Sequence, residues 1–355
     1  MKAVALGSQG NVQVTSCAVP RVQEPTDVVL QVSLAGICGS DLHIVDGRDK
    51  GCRPGTIMGH EIVGTVHAAG PAVQKFSVGD RVVAPFTVNC GVCFYCEQGL
   101  TGRCERSLGF GFVTEGGRGL QGGQAEFVRV PLADSTLMKL PAAFADGQTF
   151  EDQDALFLGD ILSTAYGAAQ AGRIKVGDVV AVVGLGPVGL LCVQTAKALG
   201  AAHVVAIDLD GVRRDKAVTL GAVACEPAQA RAMCDELTQG RGADVALEAV
   251  GAAPALDLAL RLVRPGATIS IAGFHTQPVY PLPISEGYNL NLTITMGRCH
   301  ARAHMEKLLP KLLLHQFRPR EIITHVLPLS EAAHGYHVFR ERADGAIKVL
   351  LAPQL

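Results

Sequence analysis

The chain has 355 residues, room for two domains, and 48% of them are hydrophobic, enough to fill both cores. Its 31 basic and 33 acidic side chains leave a net charge of −2, so no basic field marks a nucleic-acid binder. The longest apolar run, residues 179–193, is interrupted by Gly184, Gly186, Pro187 and Gly189 and is too short to span a membrane. The N-terminus lacks the apolar core of a signal peptide, and eleven cysteines fit reduced thiols in a cytoplasm better than disulfides.

Residues 1 to about 155 read as short strands between Gly, Pro and Asp, for example 28–32, 62–66, 81–84 and 125–130. Even, short strands of this kind predict a barrel or sandwich. The pattern then changes. Residues 179–184 form a buried strand and 187–199 a helix; 204–209 and 212–220 repeat the pair, and strands 244–250, 268–272 and 290–296 continue it. Strands alternating with helices predict a parallel, doubly wound sheet. A long helix at about 303–314 and a strand at 347–351 follow, too little for a domain, so this tail is expected to pack back on the first one.

Cys90, Cys93, Cys96 and Cys104 are spaced C-x2-C-x2-C-x7-C. Four thiolates suit a tetrahedral, closed, structural zinc site. The ferredoxin run ends C-x3-C-P, whereas here Glu105 follows the late fourth cysteine. The turn after the first sheet strand is Gly184-Leu185-Gly186-Pro187-Val188-Gly189, a G-x-G-x-x-G between strand and helix. Its glycines permit a tight turn, close approach to a pyrophosphate and helix–strand packing, with free N–H groups at the helix start. Asp208, about twenty residues on, can accept the adenosine ribose hydroxyls and repel a 2′-phosphate, which favours NAD over NADP. Arg213 and Arg214 close behind keep NADP open. Cys38 and His60 add sulfur and nitrogen ligands for a second zinc, this one needing an open position.

Taken together, the four-cysteine lobe, Cys38-Gly39-Ser40-Asp41-Leu42-His43, Gly59-His60-Glu61, the glycine turn and the returning tail resemble the zinc-dependent alcohol dehydrogenases of the medium-chain dehydrogenase/reductase superfamily over the whole length. The resemblance implies an α/β plus β fold: a GroES-like β-barrel catalytic domain (1–157, zinc lobe about 88–106), a Rossmann NAD-binding domain (158–296) and a segment (297–355) returning to the first domain, with the active site in the cleft between the domains. Cys38 and His60 match the first two ligands of the catalytic zinc. No cysteine lies between Cys104 and Cys192, where the family's third ligand belongs. Asp160 occupies that place and is the expected oxygen ligand, with a helix N-cap as its alternative role and Asp152 and Asp154 as weaker candidates. Glu61 matches the carboxylate beside the zinc, and Asp41 a group that fixes the tautomer of His60.

The implied activity is hydride transfer between an alcohol and NAD, interconverting alcohol and aldehyde or ketone. Zinc polarises the oxygen, Ser40 takes the alcohol proton, and His43 passes it outward. Phe86 is expected to line the substrate pocket, and Lys348 to meet the cofactor pyrophosphate. Two zinc ions per chain, a small-molecule substrate, no nucleic-acid or membrane partner, and a homodimer or homotetramer built on the edge strand 290–296 complete the expectation. A polyol, sugar or formaldehyde dehydrogenase on this scaffold, and a non-catalytic nucleotide-binding structural or regulatory protein, are the alternatives.

Overall fold

The computed structural model describes residues 1–355, which fall into two compact units, Met1–Ser163 with His300–Leu355, and Thr164–Cys299. No helix is long and apolar enough to cross a membrane.

The first unit is built on a seven-stranded sheet. Its path runs Ile323–Pro328, Lys348–Ala352, Val28–Ile37, Glu61–Ala69, Arg81–Ala84, Met138–Lys139, with Phe127–Val130 also pairing to Val28–Ile37. Successive side chains on a strand alternate faces. Val28, Leu30 and Val32 therefore share one face with Ile62, Val66, Val82, Ala84, Val128 and Val130, and these residues form one buried core. Register agrees: Leu30 lies opposite both Val66 and Val128, and Ile62 opposite Ala84. The tail completes this unit. Strand Lys348–Ala352 pairs antiparallel with Val28–Ile37, and Tyr336 and Phe339 of helix Ala332–Glu341 pack with Ile37, Val45 and Met58.

The second unit is a six-stranded, wholly parallel sheet. Its order is Val223–Cys225, His203–Ile207, Val179–Val183, Ala243–Glu248, Val263–Ile271, Thr293–Met296. Numbered within the sheet this is 3-2-1-4-5-6, the doubly wound Rossmann order expected from the alternation. The order reverses between Val179–Val183 and Ala243–Glu248, and ligands of such sheets bind outside the carboxyl ends of the strands at that reversal.

One sequence expectation is shortened. Residues 290–292 are not strand: helix Ile284–Asn289 ends there, Asn291 turns left-handed at φ 51°, and only Thr293–Met296 joins the sheet, as its outer strand. The turn is fixed by Leu292 N–H donating to the Gly287 carbonyl at 3.0 Å.

Candidate active site

Cys90, Cys93, Cys96 and Cys104 converge, with their sulfur atoms all within 4.8 Å of one another. Gly91 and Gly99, at φ 76° and 74°, turn the loop back on itself. The Cys90 and Arg106 N–H groups donate to Cys104 Sγ at 3.2 and 3.4 Å. Backbone donors from Glu105 and Cys96 draw the Cys93 thiol down to about 6, while burial pushes Cys96 up to about 12. Four soft donors, with N–H groups aimed at sulfur, fit a closed zinc site.

A second cluster forms where three separate segments meet. Cys38 follows strand Val28–Ile37 and caps helix Gly39–Val45. His60 precedes strand Glu61–Ala69, and Asp160 sits in the break between helical turn Leu156–Gly159 and helix Ile161–Ala171. One donor atom from each of Cys38, His60, Glu61 and Asp160 lies within 4.8 Å of the others. Asp160 Oδ2 is 3.7 Å from Cys38 Sγ and 3.2 Å from His60 Nε2, and Ser40 Oγ is 3.2 Å from the same nitrogen.

Charge explains what this cluster wants. Burial lowers the His60 pKa, but the Asp41 charge, then hydrogen bonds to Asp160 and Asp41, outweigh it and hold the ring well above its ordinary value. Burial and the Asp160 charge raise the Cys38 thiol. With sulfur and carboxylates crowded together, the protein stabilises positive charge at the one site they surround. Glu61 Oε2 is buried without a hydrogen-bond partner. The donor set therefore fits a divalent zinc ion: sulfur, imidazole nitrogen and carboxylate oxygen in reach of one point.

Behind the donors, Asp41 is fully buried, with Oδ1 3.2 Å from His60 Nδ1 and Oδ2 accepting from Cys38 N–H at 3.0 Å. His43 lies one turn after Ser40 in the same helix, half-buried, its pKa lowered by burial and by Arg48. The Phe86 backbone N–H donates to the Gly159 carbonyl at 3.0 Å, which sets this ring's segment beside Asp160.

In the second unit the glycine turn lies at the sheet reversal. Gly184 leaves its strand at φ 90°, and a Cβ on Gly189 would run into the Gly184 carbonyl oxygen. Gly186 caps helix Pro187–Ala198, with Pro187 and Val188 opening its first turn. Asp208 follows strand His203–Ile207 and accepts from the Leu185 and Asp210 N–H groups at 2.7 and 2.9 Å. Arg213 Nη1 lies 4.0 Å from Asp208 Oδ2, whereas Arg214 is drawn away to the Asp208 carbonyl and Glu226. Across the reversal, Glu248 ties the edge together. Its Oε1 accepts from Val250 and Gly251 N–H at 2.8 Å, its Oε2 lies 3.1 Å from His275 Nε2, and its carbonyl accepts from Ala272 and Gly273. A preformed turn with free N–H groups and a carboxylate twenty-odd residues on fits a dinucleotide.

Comparison with known proteins finds matches to both parts of the chain. Residues 24–142 match the alcohol dehydrogenase GroES-like domain and residues 187–313 the zinc-binding dehydrogenase domain. Zinc-type alcohol dehydrogenase B of Aspergillus flavus is 37% identical over 96% of this chain and 78% of its own length. A probable zinc-binding alcohol dehydrogenase of Mycobacterium tuberculosis is 37% identical over 99% of this chain and 89% of its own. Among solved structures, an alcohol dehydrogenase from Thermus sp. ATN1 superposes with a TM-score of 0.92 at 40% identity, covering 99% of each chain.

The chain belongs to the zinc-dependent alcohol dehydrogenase family.

It is therefore an oxidoreductase, with the GroES-like and Rossmann folds of that family. One expectation drawn from the family needs correction. Lys348 does not present its cation to a pyrophosphate: it is fully buried, and its Nζ donates to Glu61 Oε1 at 2.6 Å and the Ile37 carbonyl at 3.0 Å. Burial lowers its pKa, but the Glu61 charge outweighs this and raises it, so the ammonium persists without solvent. Gly36 makes the room, since a Cβ there would strike Glu61 Oε2 and come within 3.1 Å of Lys348 Nζ. Two of the weaker ligand candidates are engaged elsewhere. Asp152 pairs with Arg81 at 2.8 Å and with Ser33, and Asp154 accepts from Glu151 N–H at 3.2 Å.

Sequence reasoning missed Gln124, Tyr336, Gly36, Glu248 and His275. None stands in a local motif. Only a charged residue ending a buried strand, as Glu248 does, carries a signal that could have been followed.

Proposed function

We propose that this family member is an NAD-dependent alcohol dehydrogenase with two zinc ions per chain, interconverting small alcohols with aldehydes or ketones. One observation carries the reading: Cys38, His60 and Asp160 present sulfur, nitrogen and oxygen within one 4.8 Å cluster, with the Ser40 hydroxyl on its margin. Cys38, His60 and Asp160 would hold the catalytic ion, with Glu61 behind them, and the four-cysteine lobe the structural one. When bound, zinc supplies a Lewis acid for the substrate oxygen, and the nicotinamide accepts the hydride at C4.

The residues do the rest. Ser40 Oγ holds the alcohol proton and releases it as the carbon gives up its hydride, and His43, one turn on, carries that proton outward. Asp41 keeps the His60 proton on Nδ1, leaving Nε2 as the ligand atom. Lys348 balances the Glu61 charge. The glycine turn seats the pyrophosphate on the start of helix Pro187–Ala198. Asp208 binds the ribose hydroxyls and sets the preference for NAD, and Phe86 lines the substrate pocket. In the same reading, the outer strand Thr293–Met296 and exposed Tyr288, Ile284 and Met296 form a contact between copies of the chain in a dimer or tetramer.

A panel of primary, secondary and polyhydric alcohols with NAD and NADP, followed by reduced-cofactor absorbance and metal analysis, tests the assignment. Two zinc ions per chain and NADH formation that disappears in Cys38→Ala are expected. Wild-type turnover by Cys38→Ala would end it. Ser40→Ala should slow turnover while keeping both zinc ions.

A further inference from the structure

Asp41 is gripped from a direction that the proposed reaction does not use. Gln124 is fully buried, and its Nε2 donates to Asp41 Oδ2 at 3.3 Å and to the Gly36 carbonyl at 3.0 Å. Its Oε1 accepts from the Tyr336 hydroxyl at 2.9 Å. Tyr336 belongs to helix Ala332–Glu341, 212 residues further along the chain.

The chemistry fixes the sense of every hydrogen in this chain of contacts. The Gly36 carbonyl can only accept, so the amide nitrogen must face it and the amide oxygen must face Tyr336. Tyr336 must then donate. Burial, reinforced by the Asp41 charge, pushes its pKa well above the ordinary phenol value, so it keeps that proton. The Tyr336 hydrogen then points to Gln124, one Gln124 amide hydrogen to the Gly36 carbonyl and the other to Asp41 Oδ2, which also takes the Cys38 N–H; Oδ1, 3.2 Å from His60 Nδ1, is left to face the ring proton. Packing agrees. Gly59, beside His60, lies at φ 92°, and a Cβ there would collide with Gln124 Cγ, so the turn presenting His60 is shaped around Gln124.

We infer that Gln124 and Tyr336 are positioning residues of the catalytic metal site, which lock Asp41 and, through it, the tautomer and direction of His60. This rests on the reading of Cys38, His60 and Asp160 as the ligand set. Partners behind a ligating histidine tune metal affinity by about 10–100-fold. Tyr336 touches Asp41 only through Gln124, so the two effects are nested rather than independent.

The test uses the full chain with zinc left in the four-cysteine lobe and cobalt(II) placed in the other site. Affinity is read by chelator competition and ligand geometry by the cobalt d–d bands. Gln124→Leu should weaken cobalt binding about 10–100-fold and shift the bands. Tyr336→Phe, which removes one oxygen atom, should do the same to a smaller degree. The double variant should lose no more than Gln124→Leu alone, and the lobe should hold its zinc unchanged throughout. Wild-type affinity and bands in both single variants, or losses that add in the double variant, overturn the inference. Should Gln124→Leu fail to fold, Tyr336→Phe decides alone, and wild-type affinity and bands there overturn it. A wild-type chain that takes up no cobalt at this site overturns the underlying functional reading as well.

Discussion

Replacing Lys348 with Met keeps most of the side-chain volume and removes the only donor to Glu61. In the wild-type protein both groups are fully buried, 2.6 Å apart, and Glu61 Oε2 has no partner of its own. Breaking such a pair from one side costs about 3–5 kcal/mol, because an uncompensated charge stays inside. In a unit of roughly 220 residues each kcal/mol lowers Tm by about 2–4 °C, so Lys348→Met should melt about 6–20 °C below wild type. The double variant Lys348→Met with Glu61→Gln leaves no buried charge and should recover most of that loss. The pH dependence has a definite sign. Burial raises the Glu61 pKa from its ordinary 4.5 even with Lys348 present. The folded state therefore holds this proton when the unfolded state has released it, and stability falls as pH rises above 4.5. Losing Lys348 raises that pKa further, so the penalty should grow as pH rises from 4.5 toward about 8. Calorimetry on metal-free protein across this range measures it, since a bound cation would offset the Glu61 charge. Equal melting of Lys348→Met and wild type at pH 8 would refute the buried-pair account.

Four further outcomes follow from the same geometry. Asp160→Asn should lose catalytic zinc, since the neutral amide is a poorer ligand, while Asp160→Cys should keep it; metal content per chain decides. Asp208→Ser removes the carboxylate beside Arg213 and should improve NADP over NAD by about tenfold or more, because like-charge repulsion costs several kcal/mol; the ratio of kcat/KM values measures it. Chelation should open the lobe between Cys90 and Cys104 to protease before the rest of the chain, since metal binding there is coupled to folding. Thr295→Pro removes a backbone donor from the outer strand and should reduce the assembled species in light scattering, if that strand pairs between copies.

The sequence reads most clearly where chemistry is local. Four cysteines within fifteen residues, and three glycines within six, announce their sites because the loop that carries the ligands also carries the spacing. The alternation of strand and helix likewise made the doubly wound sheet visible. Asp160 needed the family resemblance, since Asp152 and Asp154 offer the same carboxylate nearby. What stayed hidden was made by distant pairing. Glu61 and Lys348 are 287 residues apart, and Gln124 and Tyr336 are 212 apart. No periodicity links such residues; the registers of Lys348–Ala352 and of Glu61–Ala69 against the strand between them, Val28–Ile37, with Leu350 and Glu61 both opposite Gly36, bring Lys348 to Glu61. The resemblance alone set Lys348 at the cofactor pyrophosphate, and nothing within its own strand signals a buried carboxylate partner. Residues 290–292 misled for a different reason. Their Leu-rich character suits a strand, and only the left-handed turn at Asn291 excludes it.

The way the first unit is threaded has a consequence for its birth on the ribosome. Thr164–Cys299 is a continuous stretch that can fold as soon as it emerges, whereas the other unit, which takes both ends of the chain, must wait for Tyr336 and Lys348 to be synthesised. Until then Glu61 lacks its counter-ion, and Gln124 its phenol. A nascent chain would thus carry a finished Rossmann fold while the cluster of Cys38, His60, Glu61 and Asp160 still lacked its supports, and translation itself would time the maturation of that cluster.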